Sequence, residues 1–288
     1  MDIRSWVPWQ GKIIGKVVLS RLPIGYRLWQ KVGVFQHGKM AEPAYAFNVF
    51  TNHLERSRIR EHGNSFVGLE LGPGDSLFSA LIAYAYGASA SYLVDAGRFA
   101  TTDIAPYHAM AAYLKGRGLA TPDLSGAKTI EDVLKACRAS YLSGGLESLR
   151  ALPDKSIDFI WSQAVLEHIR RGEFADYCRE MARVVRPGGV CSHRVDLKDH
   201  LGGSLNNLRF RDAIWESKAM ASSGFYTNRI RYSEMLQAFK DAGFRVEVHN
   251  VDRWSDLPID RKKLSLPYRD MPVEELVVKG FDVLLRHA

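Results

Sequence analysis

The sequence contains no long apolar run, few cysteines and no strong excess of one charge. No segment approaches the roughly 18 apolar residues that a membrane-spanning helix needs. The three cysteines, Cys137, Cys178 and Cys191, lie far apart without CxxC spacing. A disulfide framework and a structural zinc site are therefore disfavoured, and a reducing compartment is expected. The net charge of +7 favours anionic partners but selects no class of them.

The composition that is present is typical of a folded globular protein. The chain has 288 residues, 46% apolar and 25% charged, which suits one large domain or one domain with an appendage. Near the N-terminus, Lys16 interrupts the apolar stretch 13–19, and no small-residue cleavage site follows it. A signal peptide is not predicted, and cytoplasm is the expected location.

Residues 1–63 differ from the rest of the chain because they are rich in aromatic and basic residues. They predict short helices and turns that pack on the main domain or cover it. A helix lying on a membrane surface is the alternative, since Lys12, Lys16 and Arg21 flank apolar residues. The apolar stripe is short and interrupted by turn residues, so packing on the domain is favoured.

From residue 66 onward, strand and helix patterns alternate. Strands are predicted over 66–71, 91–94, 157–162, 190–195, 244–251 and 277–285, and helices over 76–86, 104–116, 173–185 and 233–242. This alternation predicts a parallel sheet with helices on both faces. The last two strands predict a hairpin at the sheet edge. Segments 97–140 and 197–230 exceed ordinary connections, so each is predicted to form a lid over a site.

The corner after the first predicted strand, "LELGPGDS", carries residues suited to ligand binding. Gly72 and Gly74 permit a sharp turn and a close approach of the backbone to a ligand. Glu70, at the strand end, can accept hydrogen bonds or pair with a cationic group. Asp95 ends the next strand, where a carboxylate can accept hydrogen bonds from two ribose hydroxyls.

Two classes of cofactor use such a corner, and its charge separates them. Dinucleotide sites favour G-x-G-x-x-G with a pyrophosphate at the helix N-terminus. Here Leu77 replaces the third glycine, and Asp75 at the helix mouth would repel a pyrophosphate. S-adenosylmethionine carries no phosphate and has a sulfonium and an ammonium group, so an acidic corner suits it.

Four segments in order, "LELGPGDS", "YLVDAG", "LPDKSIDFIWSQAVLEHI" and "REMARVVRPGGV", resemble the motifs of class I S-adenosylmethionine-dependent methyltransferases. The resemblance covers about residues 66–196. It implies an α/β fold: a Rossmann-like, doubly wound, mostly parallel seven-stranded sheet with an antiparallel edge hairpin. The catalytic domain would then span 64–288, and 1–63 would be an N-terminal extension.

The same resemblance implies a cofactor site at the carboxyl ends of the strands. Glu70 would lie near the methionine moiety, Asp95 would hold the ribose, and Ser162 and Gln163 would lie near the transferred methyl group. The family often has an acid before its adenine-covering pair, but Gly145 stands there in this chain. The implied cofactor-binding residues are Glu70, Gly72, Pro73, Gly74, Ser76, Asp95, Ala96, Leu146, Glu147, Ser162, Gln163 and His168.

The segment "SHRVDLKDHLGG" supplies candidates for proton transfer, because an alcohol must lose its proton when it is methylated. The hypothesis is that His200 is the general base and that Asp196 or Asp199 orients it. His193 is a further candidate, although its place in a strand is also typical of a core residue. Asp196 and Asp199 could instead ligate Mg²⁺ or Ca²⁺, but two carboxylates are few for a dedicated site, and no metal is predicted.

The acceptor is predicted to be a small molecule. The run from "HRVDLKDHLGG" to "FYTNRIRYSEM" resembles bacterial methyltransferases associated with surface-polysaccharide or secondary-metabolite assembly, which favours a sugar or a glycosylated small molecule. The alternatives are another small molecule, such as a polyketide, lipid or carboxylic acid, and a non-catalytic cofactor-binding scaffold. Nucleic acid is not expected, because "SQAVLEHI" replaces the N/D-P-P-aromatic motif and no dense basic stripe is present.

Overall fold

A computed structural model describes residues 39–62 and 65–287 of the chain. The predictions for 1–38, including the membrane-surface helix, lie outside these described residues. Within the described part, no helix is both long and apolar enough to cross a bilayer.

The centre of the fold is one seven-stranded sheet with the order β3-β2-β1-β4-β5-β7-β6. β7 is antiparallel to both β5 and β6, whereas the other neighbouring pairs are parallel. The predicted Rossmann-like sheet with an antiparallel edge pair is therefore confirmed. The strands are β1 (Phe66–Leu71), β2 (Ala88–Val94), β3 (Ala139–Leu142), β4 (Ile157–Gln163), β5 (Val185–Asp196), β6 (Phe244–Arg253) and β7 (Val278–His287).

Helices cover both faces of this sheet. They are α1 (Pro43–Ser57), α2 (Phe78–Ala85), α3 (Ala105–Gly116), α4 (Ile130–Ala136), α5 (Leu146–Arg150), α6 (Phe174–Val184), α7 (Asp212–Trp215), α8 (Lys218–Ala221), α9 (Tyr232–Asp241) and α10 (Val273–Leu276). Short 3₁₀ helices cover Ile59–His62, Leu166–His168, Arg171–Glu173, Asn206–Arg209 and Arg261–Lys263. Helices α1 to α4 share one apolar core, and α5, α6 and α9 contribute to the core on the opposite side.

Helix α1 places part of the predicted N-terminal extension directly on the sheet. Phe50 makes edge contacts with Phe159 and Trp161 of β4, at centroid distances of 6.3 and 5.6 Å. Arg56 forms an ion pair of 2.9 Å with Asp282 of β7. The described part of the extension therefore shares an apolar core with the sheet; its role as a cap stays a prediction.

The two segments predicted as lids have different structures. Segment 97–140 contains α3 and α4, which connect β2 to β3 and bury Met110 and Leu114. Segment 197–230 follows β5 and folds around a small core of its own, in which Trp215 and Phe225 are buried. Whether either segment closes over a ligand stays a prediction.

Strand β3 and helix α4 lie in or next to the first of these segments and were not predicted. β3 has only four residues, and none of them is fully buried, so it lacks the apolar pattern of the other strands. Helix α4 begins at a capping box in which the Thr129 side chain accepts from the Asp132 amide. This T-x-x-D spacing is a helix-start signal that the sequence contains.

Candidate active site

The corner after β1 has the backbone conformation that its glycines predict. Gly72 and Gly74 have φ of +67° and +66°, in the left-handed region that side chains disfavour. The Gly72 amide donates to the Val94 carbonyl at 2.8 Å, which joins this corner to the end of β2. A Cβ on Gly72 would lie 2.6 Å from a methyl of Val165, so space also requires glycine here.

Asp95 connects the corner after β1 to the end of β2. One oxygen of its carboxylate accepts from the Gly74 amide at 2.9 Å, and the other accepts from the Ala96 amide at 2.7 Å. The side chain keeps only 9% exposure. Asp95 is therefore fixed at the crevice where the sequence predicts a ribose site.

Glu70 is buried beneath the same corner, and Ser79 of α2 donates a hydrogen bond to its carboxyl group. Desolvation raises the pKa of Glu70 to about 8; the Ser79 hydrogen bond opposes this, and the Asp95 charge adds to it. Glu70 is therefore mostly protonated at pH 7. A cationic group brought near it would favour loss of that proton.

The turn before α5 explains why this chain has glycine where the family often has an acid. Gly145 has φ of +56°, and a Cβ there would lie 3.0 Å from the Tyr177 hydroxyl. Its amide donates to the Asp95 carbonyl at 2.8 Å. Leu146 is buried, whereas Glu147 is exposed and pairs with Arg150 at 2.6 Å. An aliphatic side chain and backbone atoms, rather than an acid, thus border the predicted adenine position.

Ser162 and His193 form a hydrogen-bonded pair inside the core. The Ser162 hydroxyl lies 2.7 Å from His193 Nδ1, and both side chains are fully buried. Phe239 of α9 stacks on the imidazole at 6.5 Å. Desolvation, with a smaller effect of His53, lowers the pKa of His193 to about 3. His193 is therefore a neutral core residue rather than a candidate base, and the Ser162 side chain points away from the crevice.

Gln163, the next residue of β4, projects to the opposite face and is half-buried. Its Oε1 lies 3.0 Å from Nε2 of His53 on α1. No sequence pattern indicates this contact, because 110 positions separate the two residues. His53 is thus a residue near the site that sequence reasoning missed.

The carboxyl ends of β4 and β5 bring His168 and His200 together. The two rings lie 4.8 Å apart between centroids, and both residues are exposed. His168 Nδ1 lies 2.8 Å from the Tyr226 carbonyl, which can only accept, so this nitrogen carries the proton in the neutral ring. Nε2 is then the basic nitrogen of His168. The resemblance implies that His168 binds the cofactor, whereas the sequence hypothesis makes His200 the general base.

The two carboxylates predicted to orient His200 have structural partners. Asp199 is buried and accepts from the backbone amides of Leu201 and Gly202 at 2.9 and 2.8 Å, which shapes its own loop. Asp196 accepts from the Lys198 amide at 3.0 Å and lies 3.3 Å from the Lys198 ammonium. Among the described residues, no cluster of three or more His, Cys, Asp or Glu could hold a metal.

Glu167 is a second buried acid that the sequence analysis did not single out. Its Oε1 accepts from the Asp196 amide at 3.2 Å, and its Oε2 has no partner within the described part of the chain. Burial raises the pKa of Glu167 to about 8, and the Asp196 charge adds to this shift. The sequence feature that could have identified Glu167 is a carboxylate directly after the apolar pair Val165 and Leu166 in "VLEHI".

The polar residues of segment 197–230 form intramolecular contacts. Asn228 donates to the carbonyls of Leu166 and Ile169 at 2.8 and 3.0 Å, which holds the loop after β4. Arg229 is buried and forms an ion pair with Asp212. These two side chains therefore hold segment 197–230 to the loop after β4 and to itself.

Residues 69–192 match the family described as "Methyltransferase domain". No curated protein matches the chain. The match covers the glycine corner, Asp95, Gly145 and the end of β4.

Several solved structures are similar at low identity. The YcgJ protein of Bacillus subtilis is 15% identical with a TM-score of 0.46, covering 83% of this chain and 98% of that one. An S-adenosylmethionine-dependent methyltransferase of Methanosarcina mazei is 15% identical with a TM-score of 0.48, covering 78% and 93%. One of Mesorhizobium loti is 17% identical with a TM-score of 0.43, covering 83% and 100%. Similarities this remote say nothing about the substrate.

The residues present fit the cofactor of this domain family, S-adenosylmethionine. The left-handed glycine corner and the fixed Asp95 carboxylate suit a nucleoside that approaches the backbone closely. Asp75 at the start of α2 disfavours a phosphate there. Asp95 would hold the ribose, and Glu70 would lie near the ammonium group.

Proposed function

We propose that this chain, an S-adenosylmethionine-dependent methyltransferase by the match of residues 69–192, methylates a hydroxyl group on a sugar or a glycosylated small molecule. The observation that carries the O-methylation is the contact between His168 and His200, 4.8 Å apart at the ends of β4 and β5. A hydroxyl nucleophile loses its proton as the new bond forms, and an imidazole is suited to accept that proton near neutral pH.

The reaction needs alignment of the nucleophile and removal of one proton. S-adenosylmethionine, when bound, would supply a methyl group activated as a sulfonium substituent, with the neutral thioether as its leaving group. The acceptor proton passes to a histidine nitrogen, His200 by the sequence hypothesis or Nε2 of His168 by the hydrogen bond at its Nδ1. Asp95 and the glycine corner would hold the cofactor in place. Holding the two reactants together in this way lowers the activation barrier by several kcal/mol.

The saccharide is supported by resemblance and by polar side chains that follow the carboxyl ends of β4 and β5. His168 and His200 are exposed and Lys198 is half-buried, and such groups can bond to hydroxyls. Another small molecule is the alternative acceptor, and a carboxylic acid would need no base.

The experiment incubates the protein with labelled S-adenosylmethionine and a panel of saccharides, phenols and carboxylic acids. Mass spectrometry then measures which acceptor has gained the labelled methyl group. The double variant His168→Ala/His200→Ala should lower kcat for a hydroxyl acceptor by about 10²- to 10⁴-fold, the range of general base catalysis. Its affinity for S-adenosylhomocysteine should stay within about threefold. Unchanged turnover of the hydroxyl acceptor by the double variant would contradict the base assignment.

The matched control is His249→Ala on β6, an exposed histidine paired with Glu247 and remote in sequence from the crevice loops. It should leave turnover unchanged. Calorimetry of the native chain with S-adenosylhomocysteine separates an enzyme from a scaffold, since a decayed cofactor site would not bind it.

A further inference from the structure

Gln163 is the last residue of β4, the strand end where the resemblance places the transferred methyl group. Its side chain is held by a residue that lies outside the matched segment 69–192. His53 of α1 contacts it at 3.0 Å through Nε2. The other nitrogen of the same ring, Nδ1, lies 2.8 Å from the Ser192 hydroxyl of β5. One buried imidazole thus connects α1 to the end of β4 and to Ser192 within β5.

The partners of His53 decide where its proton lies. Desolvation lowers the pKa of His53 to about 4, although the Gln163 hydrogen bond opposes the shift, so the ring is neutral at pH 7. The Gln163 carbonyl oxygen can only accept, so Nε2 must carry the proton. Nδ1 then accepts a hydrogen bond from the Ser192 hydroxyl.

The contact with His53 also defines the orientation of the Gln163 amide, because Oε1 is the atom 3.0 Å from Nε2. With Oε1 facing His53, the NH₂ group faces away from α1. That NH₂ group has no acceptor within residues 39–62 and 65–287. Gln163 is half-buried at the carboxyl end of a parallel strand, where ligands bind in this class of sheet. Two N–H donors are therefore available to a ligand at this strand end.

We propose that His53 is a positioning residue that holds the Gln163 amide with its NH₂ group toward the acceptor, where it donates to an oxygen beside the reacting hydroxyl. The inference rests on the proposed function and narrows its substrate class to acceptors with a second oxygen next to the methylated one, such as a vicinal diol. Gln163 would contact the acceptor, and His53 would act through Gln163.

The surroundings of His53 are suited to positioning because the helix that carries it is fixed. The centroid of its ring lies 5.2 Å from that of Trp161. Trp161 also makes a ring contact with Phe50, one turn earlier on α1. One turn later, Arg56 pairs with Asp282 at 2.9 Å. His53 is only 2% exposed, so water does not compete for its hydrogen bonds.

The first test needs no acceptor. In protein labelled with ¹⁵N-histidine, the signals that disappear in His53→Phe belong to His53. They should show a neutral ring with Nε2 protonated, and no titration between pH 5.5 and 8. A protonated Nδ1 would mean that the Gln163 amide is reversed, and it would overturn the proposal.

The second test separates acceptor binding from cofactor binding. Gln163→Glu keeps an oxygen for His53 but removes the NH₂ donor, so KM for a diol acceptor should rise about tenfold, the effect of losing one hydrogen bond of about 1.4 kcal/mol. The Kd of S-adenosylhomocysteine separates this role from the cofactor contact that the resemblance implies for Gln163: a Kd within about twofold of the native value is expected, and a rise in Kd equal to that in KM would overturn the acceptor role. An unchanged KM would overturn the donor role of Gln163.

Two variants of His53 test its positioning role. His53→Phe should raise KM by a factor approaching that of Gln163→Glu, and His53→Gln, which can still donate, should restore most of the loss. The matched control is Thr51→Val, which removes another buried polar group of α1, one that bonds only to the helix carbonyls of Phe47 and Asn48. Equal effects of His53→Phe and Thr51→Val on KM, at equal melting temperatures, would overturn the positioning role.

The two proposals fail in different ways. If no hydroxyl acceptor is methylated while the His53 proton lies on Nε2, the proposed function is wrong and the amide orientation stands. If a diol is methylated and Gln163→Glu has a normal KM, the proposed function stands and this inference is wrong.

Discussion

The Gly74 backbone amide donates a hydrogen bond of 2.9 Å to the Asp95 carboxylate, which lies 21 positions later in the chain. This single contact joins the corner after β1 to the end of β2. It places the carboxylate beside the backbone that a nucleoside must approach. Asp95 therefore has two functions: it stabilises the glycine corner, and it is the predicted ribose-binding group.

Replacing Asp95 should weaken cofactor binding. Asp95→Ala removes the acceptor of two backbone amides as well as the ribose acceptor, and hydrogen bonds to charged groups contribute about 1.5–3 kcal/mol each. We expect the Kd of S-adenosylhomocysteine to rise roughly 10- to 100-fold in calorimetry. Asp158→Ala is the matched control, because Asp158 also accepts from a β1 amide, that of Val67 at 2.7 Å, but at the opposite end of the strand. A similar loss of affinity in both variants would contradict the ribose role.

A side chain at Gly72 should be more harmful than one at another left-handed glycine. Gly72→Ala and Gly118→Ala share the cost of a side chain at positive φ, about 1–2 kcal/mol, since the angles are +67° and +72°. Only at Gly72 does the new Cβ meet an atom, a Val165 methyl at 2.6 Å, whereas at Gly118 nothing lies within 4 Å. Thermal unfolding should show a larger loss for Gly72→Ala. Adding Val165→Ala should recover the difference; equal losses in the two single variants would contradict the steric explanation.

The two buried acids should make the chain less stable as the pH rises. Burial raises the pKa of Glu70 and of Glu167 from 4.5 to about 8. Between these values the unfolded chain has released protons that the folded chain retains, so the free energy of unfolding falls with pH, by at most about 1.4 kcal/mol per pH unit for each group. Below pH 4.5 the stabilisation is fully present, and above pH 8 it has been lost.

The test of this pH dependence is urea unfolding at pH 5, 6.5 and 8. Glu167→Gln stays neutral throughout, so its stability should fall less steeply than that of the native chain. Glu147→Gln, at an exposed position, should follow the native profile. Parallel profiles for Glu167→Gln and the native chain would show that Glu167 does not titrate in this range.

Cofactor binding should release a proton if Glu70 lies near the ammonium group as predicted. Glu70 is mostly protonated at pH 7, and a nearby cation favours its carboxylate form. The affinity for S-adenosylhomocysteine should therefore rise between pH 6 and 8. Calorimetry in buffers of different ionisation enthalpy should show release of up to one proton. Glu70→Gln should lose both effects, and native binding without proton release would contradict the prediction.

The fold was largely predictable because its signals are local. β1 was predicted to the residue at Phe66–Leu71, since apolar residues run up to a glycine corner. β3 was missed because its four residues are only partly buried, and the neighbouring strand rather than an apolar pattern makes Ala139–Leu142 a strand. Pairing with a neighbour is a tertiary property.

The candidate site was predictable in its backbone and less so in its side chains. Gly72, Gly74 and Asp95 lie together as their order and spacing predict, because the carboxyl ends of parallel strands meet at one edge. The alternation of side chains along β4 and β5 decided the rest. It buries Ser162 and His193 on one face and turns Gln163 toward His53 on the other.

The sequence by itself determined the glycine corner, the acids at the ends of two strands and the alternation that builds the sheet, since each depends on residues close together in the chain. Only the tertiary structure decided which histidines are exposed after β4 and β5, which are neutral in the core, and which acids retain a proton. Burial and distant neighbours set those properties. His53 and Gln163, 110 positions apart, come into contact only when α1 packs against the sheet.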